Sequence, residues 1–166
     1  MKKAYAFITQ YLLLFILAAF IGWVYEIICV FALFGHYMDR GVLHLPLCPI
    51  YGFGMLFLYL VFKKVKNPFA VFFGSALITT VIEYLAALVF ENCFHQELWT
   101  YRSWPLNFRG RVSLISSLSF GLMATLYLLL VIPPVKKLFA SKAGRYLSLF
   151  TTLLFLFCLG WELSCL

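Results

Sequence analysis

The chain has 166 residues, 64% of them hydrophobic and only 11% charged, with a mean hydropathy of +0.99. That much apolar surface excludes a water-soluble globule. The formal net charge of +7 therefore marks membrane topology rather than a nucleic-acid surface.

Five apolar runs, at 7–34, 42–62, 68–90, 112–132 and 146–163, each approach or exceed the roughly 20 residues a helix needs to cross the hydrocarbon. Backbone hydrogen bonding in lipid favours helices over open sheets. The expected fold is all-α: a polytopic membrane helix bundle of about five transmembrane helices, forming one integral membrane domain over 1–166.

Lys2 and Lys3 precede the first run, which is longer than a signal core and has no small-x-small cleavage site, so it reads as a retained span. Entered from the lysine side, and rising ~1.5 Å per residue, it carries Glu26 into the far part of the bilayer. The link that follows puts Asp39 and Arg40 at a turn, with Gly41 permitting tight backbone geometry. Pro46 and Pro49 prevent a regular helix, and Gly52 and Gly54 follow them. Residues 42–54 are thus expected to form a broken or re-entrant segment, either buried in protein or lining a wet cavity. His44 and Cys48 are four apart, the spacing of a cysteine–histidine nucleophile, but the intervening proline disturbs a shared helical face and no third orienting group is evident. The five cysteines have no CxxC spacing and read as packing residues, and His36, His44 and His95 complete no metal-ligand signature. No metal or cofactor is expected.

The third run places Glu83 past the middle of the membrane and Glu91 near its outer end. Eight positions separate them by roughly 80 degrees on a helix, so both can border one cavity. The long link after it contains Trp99, Tyr101, Trp104, Leu106 and Phe108, which suit the interface or a loop folded back onto the bundle. It also carries Arg102, Asn107, Arg109 and Arg111, well suited to face the carboxylates, and Gly110, which allows a turn. Ser113, Ser116 and Ser117 share part of one helical face with Gly121, as in close helix packing or a hydroxyl-lined extension of the cavity. Pro133-Pro134 is expected to end the fourth helix, and Glu162 lies at the outer end of the fifth.

Nine of the 13 basic residues fall on one side of such a topology, and Arg40, Arg102, Arg109 and Arg111 fall on the other. The positive-inside rule makes the lysine side cytoplasmic, with the N-terminus inside and the C-terminus outside. The basic rim also attracts anionic lipid headgroups.

Several motifs occur together and in order: GWVYE at 22–26, DRG at 39–41, CPIYGFG at 48–54, IEYLAALVFE at 82–91, WTYR at 99–102, NFRGRVSL at 107–114 and SLSFG at 117–121. In these the chain resembles the CmpB-like family of type IV ABC-transporter permeases, small bacterial polytopic membrane proteins. The resemblance implies an inner-membrane protein with Glu26, Arg40, Glu83, Glu91, Asn107, Gly110 and Arg111 among its marked positions. The chain departs from the family pattern with Asp39 in place of asparagine and with WTYR in place of WDYS, which loses an acid and gains a base. It also lacks the usual glycine-proline before CPIYG.

The leading expectation is a transporter or permease component of the bacterial cytoplasmic membrane. Glu26, Glu83 and Glu91 would line an outward-side polar site, with the four arginines pairing with them or attracting a substrate anion. No Walker-type phosphate loop is present, so ATP-driven work requires a separate ATPase; a homo-oligomer or another membrane subunit are the other expected partners, alongside membrane lipids. Two alternatives stand beside it. One is an intramembrane enzyme acting on a phosphate-containing lipid-linked substrate. The other is a non-catalytic scaffold or regulatory subunit whose charges lock the bundle.

Overall fold

The computed structural model describes residues 2–37, 45–97 and 99–164. Over these the regular structure is helical apart from one small hairpin and a bridge residue at Leu45, as an all-α membrane bundle requires. Four helical runs are long and apolar enough to cross a membrane: Ile8–Ala32, Pro68–Cys93, Leu114–Phe139 and Lys142–Trp161. A fifth, shorter apolar helix lies between the first two.

Helix α1 (Lys2–Phe34) runs without proline until Gly35, which takes φ 72° and donates its N–H to the Phe31 carbonyl at 2.9 Å. That left-handed residue closes the helix as glycine commonly does. Helix α2 (Pro49–Phe62) begins on a proline, whose missing N–H costs nothing at a first helical position. The irregular segment expected over 42–54 therefore ends at Cys48, and residues 42–44 lie outside the described residues. Gly52 and Gly54 do not interrupt the chain. Gly52 instead admits the Phe15 ring, which a Cβ would meet at 2.6 Å. The register of α2 on α1 is antiparallel: Tyr59 meets Tyr11 (6.0 Å between centroids), Phe53 meets Phe15 (4.9 Å), and the Cys48 N–H donates to the Ala19 carbonyl at 3.0 Å. Cys48 is thus level with the middle of α1's membrane-spanning run.

Helix α3 (Pro68–Phe94) is capped by Asn67, whose Oδ1 accepts from Phe69 N (3.0 Å) and Ala70 N (3.4 Å). It stops at His95, a left-handed C-cap at φ 53°. Strands β1 (Asn107–Phe108) and β2 (Val112–Ser113) pair antiparallel, Asn107 with Ser113 and Phe108 with Val112. Helix α4 (Leu114–Leu126) follows directly, with a reciprocal Ser113–Ser116 capping box. It passes through a π-helical turn at Tyr127–Val131 into α5 (Ile132–Ala140). Pro133 and Pro134 do not end the helical run. They sit in the first turn of α5, where absent donors are tolerated, and their rings crowd the carbonyls one turn earlier, which accounts for the widened π turn. Helix α6 (Lys142–Ser164) closes the chain.

The chain falls into two compact units, Met1–Tyr59 with Leu130–Leu166, and Leu60–Leu129. In the first, α1, α5 and α6 pack on one another, and the fully buried Leu14, Ala19 and Leu58 mark its core. The second is an antiparallel α3–α4 pair. Gly121 brings the backbones so close that a Cβ there would meet Ala76 Cβ at 2.8 Å and the Phe72 carbonyl at 2.9 Å. On α3, Phe69, Phe73, Leu77, Val81, Leu85 and Val89 are exposed at every fourth position, an apolar stripe that winds slowly round the helix as a lipid-facing surface can.

Candidate functional site: two carboxylates held by tyrosines and one by arginine

In the second unit, Glu83 and Glu91 rise from α3 toward the loop that joins it to α4. That loop is built on its own hydrogen bonds. Asn107 donates Nδ2 to the Trp104 carbonyl at 2.9 Å and accepts from Gly110 N at 3.0 Å; Tyr101 N donates to the Gly110 carbonyl at 2.7 Å. Arg111 N returns to the Phe108 carbonyl at 3.2 Å across a turn whose central residues, Arg109 and Gly110, have φ 55° and 72°, the positive pair a type I′ turn demands. Trp99 Nε1 donates to the Arg111 carbonyl at 3.0 Å and ties the start of the loop to its end.

This scaffold aims two side chains at α3. Tyr101 donates its hydroxyl to Glu83 Oε1 at 2.7 Å. Arg111 grips Glu91, with Nε 3.0 Å from both carboxylate oxygens and Nη2 2.5 Å from Oε2, and its guanidinium lies 5.6 Å from the Tyr84 ring centroid. The Glu91 hydrogen bond pushes the Arg111 guanidinium above its ordinary value. From α4, Ser116 Oγ lies 3.4 Å from Glu83 Oε2 and 3.0 Å from the Ser113 carbonyl, with one proton to give. One turn along α3, Thr80 reaches Ser117 Oγ at 2.6 Å, so a hydroxyl seam leads along the helix pair to Glu83.

The first unit repeats the theme. Tyr51 on α2 donates to Glu26 Oε1 on α1 at 2.6 Å. Gly22, one turn earlier on α1, leaves room for the Tyr51 ring, against which any Cβ would collide.

Of the residues singled out in the sequence, Glu83, Glu91, Asn107 and Arg111 thus belong to one connected arrangement on α3, its loop and α4, and Glu26 to another on α1 and α2. Arg102 is exposed and meets Glu97 at 3.6 Å. Arg109 is exposed at the hairpin tip, its guanidinium 5.6 Å from the Phe108 ring centroid. Arg40, like Asp39 and His44, lies outside the described residues, and with it the proposed His44–Cys48 pairing. Among the described residues no three His, Cys, Asp or Glu side chains are grouped to hold a metal ion. The partners not foreseen are Tyr51 and Tyr101. A phenol is an apolar body with a donor at its tip, which needs an acceptor when it turns inward, but the sequence does not say which tyrosines turn inward.

Both arrangements lie within residues 13–161, the stretch that matches the family model described as "Putative ABC-transporter type IV". The chain belongs to this family. It is a multi-pass bacterial membrane protein of the transporter-permease class. Within the CmpB-like family motifs, IEYLAALVFE supplies Glu83 and Glu91, WTYR supplies Tyr101, and NFRGRVSL builds the hairpin and Arg111. No curated protein and no solved structure matches the chain.

Proposed function

We propose that the protein is a permease component in which Glu83 and Glu26 are the working acids and Glu91 with Arg111 is the lock that holds the loop on α3. The observation that carries this reading is the Tyr101–Glu83–Ser116 contact set. A carboxylate that accepts from hydroxyls on two elements is placed to give up or take a proton, or to meet a cationic solute, inside the helix pair. Glu91 is gripped by three charge-assisted contacts from Arg111, which suits it to holding the loop. Tyr51 on Glu26 supports the same assignment in the first unit. The distribution of lysines supports an inside N-terminus, an outside C-terminus and a site opening outward. Arg40 and Arg102 are the further residues assigned to an anionic group of the solute, with Asn107 and Arg111 shaping the loop. ATP-driven work falls to a separate ATPase subunit, since the sequence contains no phosphate loop; a second copy of the chain or another membrane subunit is the other assigned partner.

Uptake in sealed vesicles containing the purified protein tests this directly over a broad solute panel. Flux above empty vesicles should vanish in Glu83→Gln and survive in the doubly neutral Glu91→Gln, Arg111→Met variant. Equal flux in wild type, Glu83→Gln and empty vesicles sinks an autonomous transporter. The Arg111–Glu91 pair favours a second reading, a scaffold held together by charge. Under it, exchanging the two charges should restore both assembly and cellular phenotype, whereas restored assembly without phenotype argues for transport.

A further inference from the structure

The loop between α3 and α4 does not stand away from the membrane. The Phe108 ring packs 5.6 Å from Tyr84, ten residues before the end of α3. At ~1.5 Å per residue, Tyr84 lies about 24 Å along a helix that enters at Pro68, against a hydrocarbon thickness of ~30 Å. The hairpin therefore folds back beside α3 to the edge of the hydrocarbon. Irregular backbone at that depth must satisfy its own polar groups, and the Asn107, Trp99 and Tyr101 bonds do so.

What the hairpin turns outward is mixed in character. Leu106 is 74% exposed and Phe108 57%, and beside them Arg109 is exposed at a left-handed φ of 55°. The nearby acids are engaged: Glu91 by Arg111 and Glu97 by Arg102. Among the described residues Arg109's guanidinium has the Phe108 ring beside it and no carboxylate within ion-pair distance. Two exposed apolar side chains and an uncompensated fork-shaped cation, placed at the hydrocarbon edge, match a lipid with an acidic headgroup: acyl chain against Leu106 and Phe108, phosphate against the guanidinium.

From this we infer that the Leu106–Arg109 hairpin is a docking site for one anionic phospholipid, with Arg109 on its phosphate. The site is independent of the transport reading. The full chain, carrying Trp23→Phe and Trp161→Phe so that Trp99 and Trp104 report on the hairpin, is reconstituted in phosphatidylcholine bilayers doped equally with brominated phosphatidylglycerol or brominated phosphatidylcholine. Phosphatidylglycerol should quench with an apparent preference of about fivefold, the scale one basic residue contributes beside an anionic surface. Arg109→Gln should bring the preference to unity, and Arg109→Lys should retain part of it. Equal quenching by the two lipids in the parent protein overturns the site, as does a preference that survives Arg109→Gln. Inorganic phosphate added to undoped phosphatidylcholine bilayers makes the separate arm: an Arg109-dependent fluorescence change there, without lipid preference, assigns the guanidinium to a soluble anion and also overturns the lipid. Should the Trp-depleted protein fail to fold, the wild-type and Arg109→Gln chains are compared for phosphatidylglycerol retained from mixed nanodiscs, and equal retention overturns the proposal.

Discussion

Glu83 and Glu91 occupy one helix eight positions apart; Tyr101 and Ser116 reach the first and Arg111 the second, and these contacts set what each substitution costs. Tyr101→Phe keeps the ring and deletes only the hydroxyl on Glu83. Polar contacts between membrane helices are modest, so it should lower unfolding stability by roughly 0.5–1.5 kcal/mol in detergent titrations, without changing helix content. Arg111→Met is the harsher change, because it leaves Glu91 charged beside an apolar side chain. Adding Glu91→Gln to it should recover part of the loss, since neutralising both partners removes the stranded charge. A double variant less stable than Arg111→Met alone would falsify that account. The pair supplies no pH switch from the arginine side. A guanidinium whose folded-state value is raised contributes stability that is fully present below its unfolded value and is lost only as pH climbs through the folded one, far above any working range.

Among the elements, the α3–α4 pair depends most on a single small residue. Gly121 lies against the Phe72 carbonyl and Ala76, and backbone atoms cannot rotate out of the way of a new side chain. Gly121→Leu should separate the helices at a cost of about 1–3 kcal/mol and break the Thr80–Ser117 hydroxyl contact, seen as a lowered thermal midpoint and faster amide exchange in α4. Much of this level was legible in the sequence. The apolar runs located α1, α3, α4 and α6, and Pro46 with Pro49 located the break before α2. Gly52 misled because a glycine within a membrane helix can admit a neighbour's ring, here Phe15, and Gly54 lies inside the same unbroken helix. Pro133-Pro134 misled because proline is harmless in a first helical turn, so the fourth run continues to Phe139 through a π turn. The acids and Arg111 were legible as costly charges. Tyr51 and Tyr101 were not, since nothing in sequence distinguishes an aromatic of the interfacial belt from one whose hydroxyl turns back to a carboxylate.

At the scale of the whole molecule, the two units are joined where α2 passes from Tyr59 to Leu60 and where the helical run through the π turn passes from Leu129 to Leu130. Helix α2 has a further consequence, for how the chain is made. Its 14 residues cover about 21 Å, short of the ~30 Å a lone segment must cross, and it starts just after Cys48, whose N–H bonds the Ala19 carbonyl at the middle of α1's apolar run. During synthesis α2 therefore cannot partition into lipid on its own account; it enters as a passenger between α1 and α3, which are long enough to insert unaided. Chains ending at residue 67 should leave α2 open to protease from the aqueous side, and chains carried through α3 to residue 97 should protect it. Protection in the shorter chain would show that α1 suffices. The irregular backbone just before α2 thus has an order of assembly written into it, with the short helix secured only once α3 follows it.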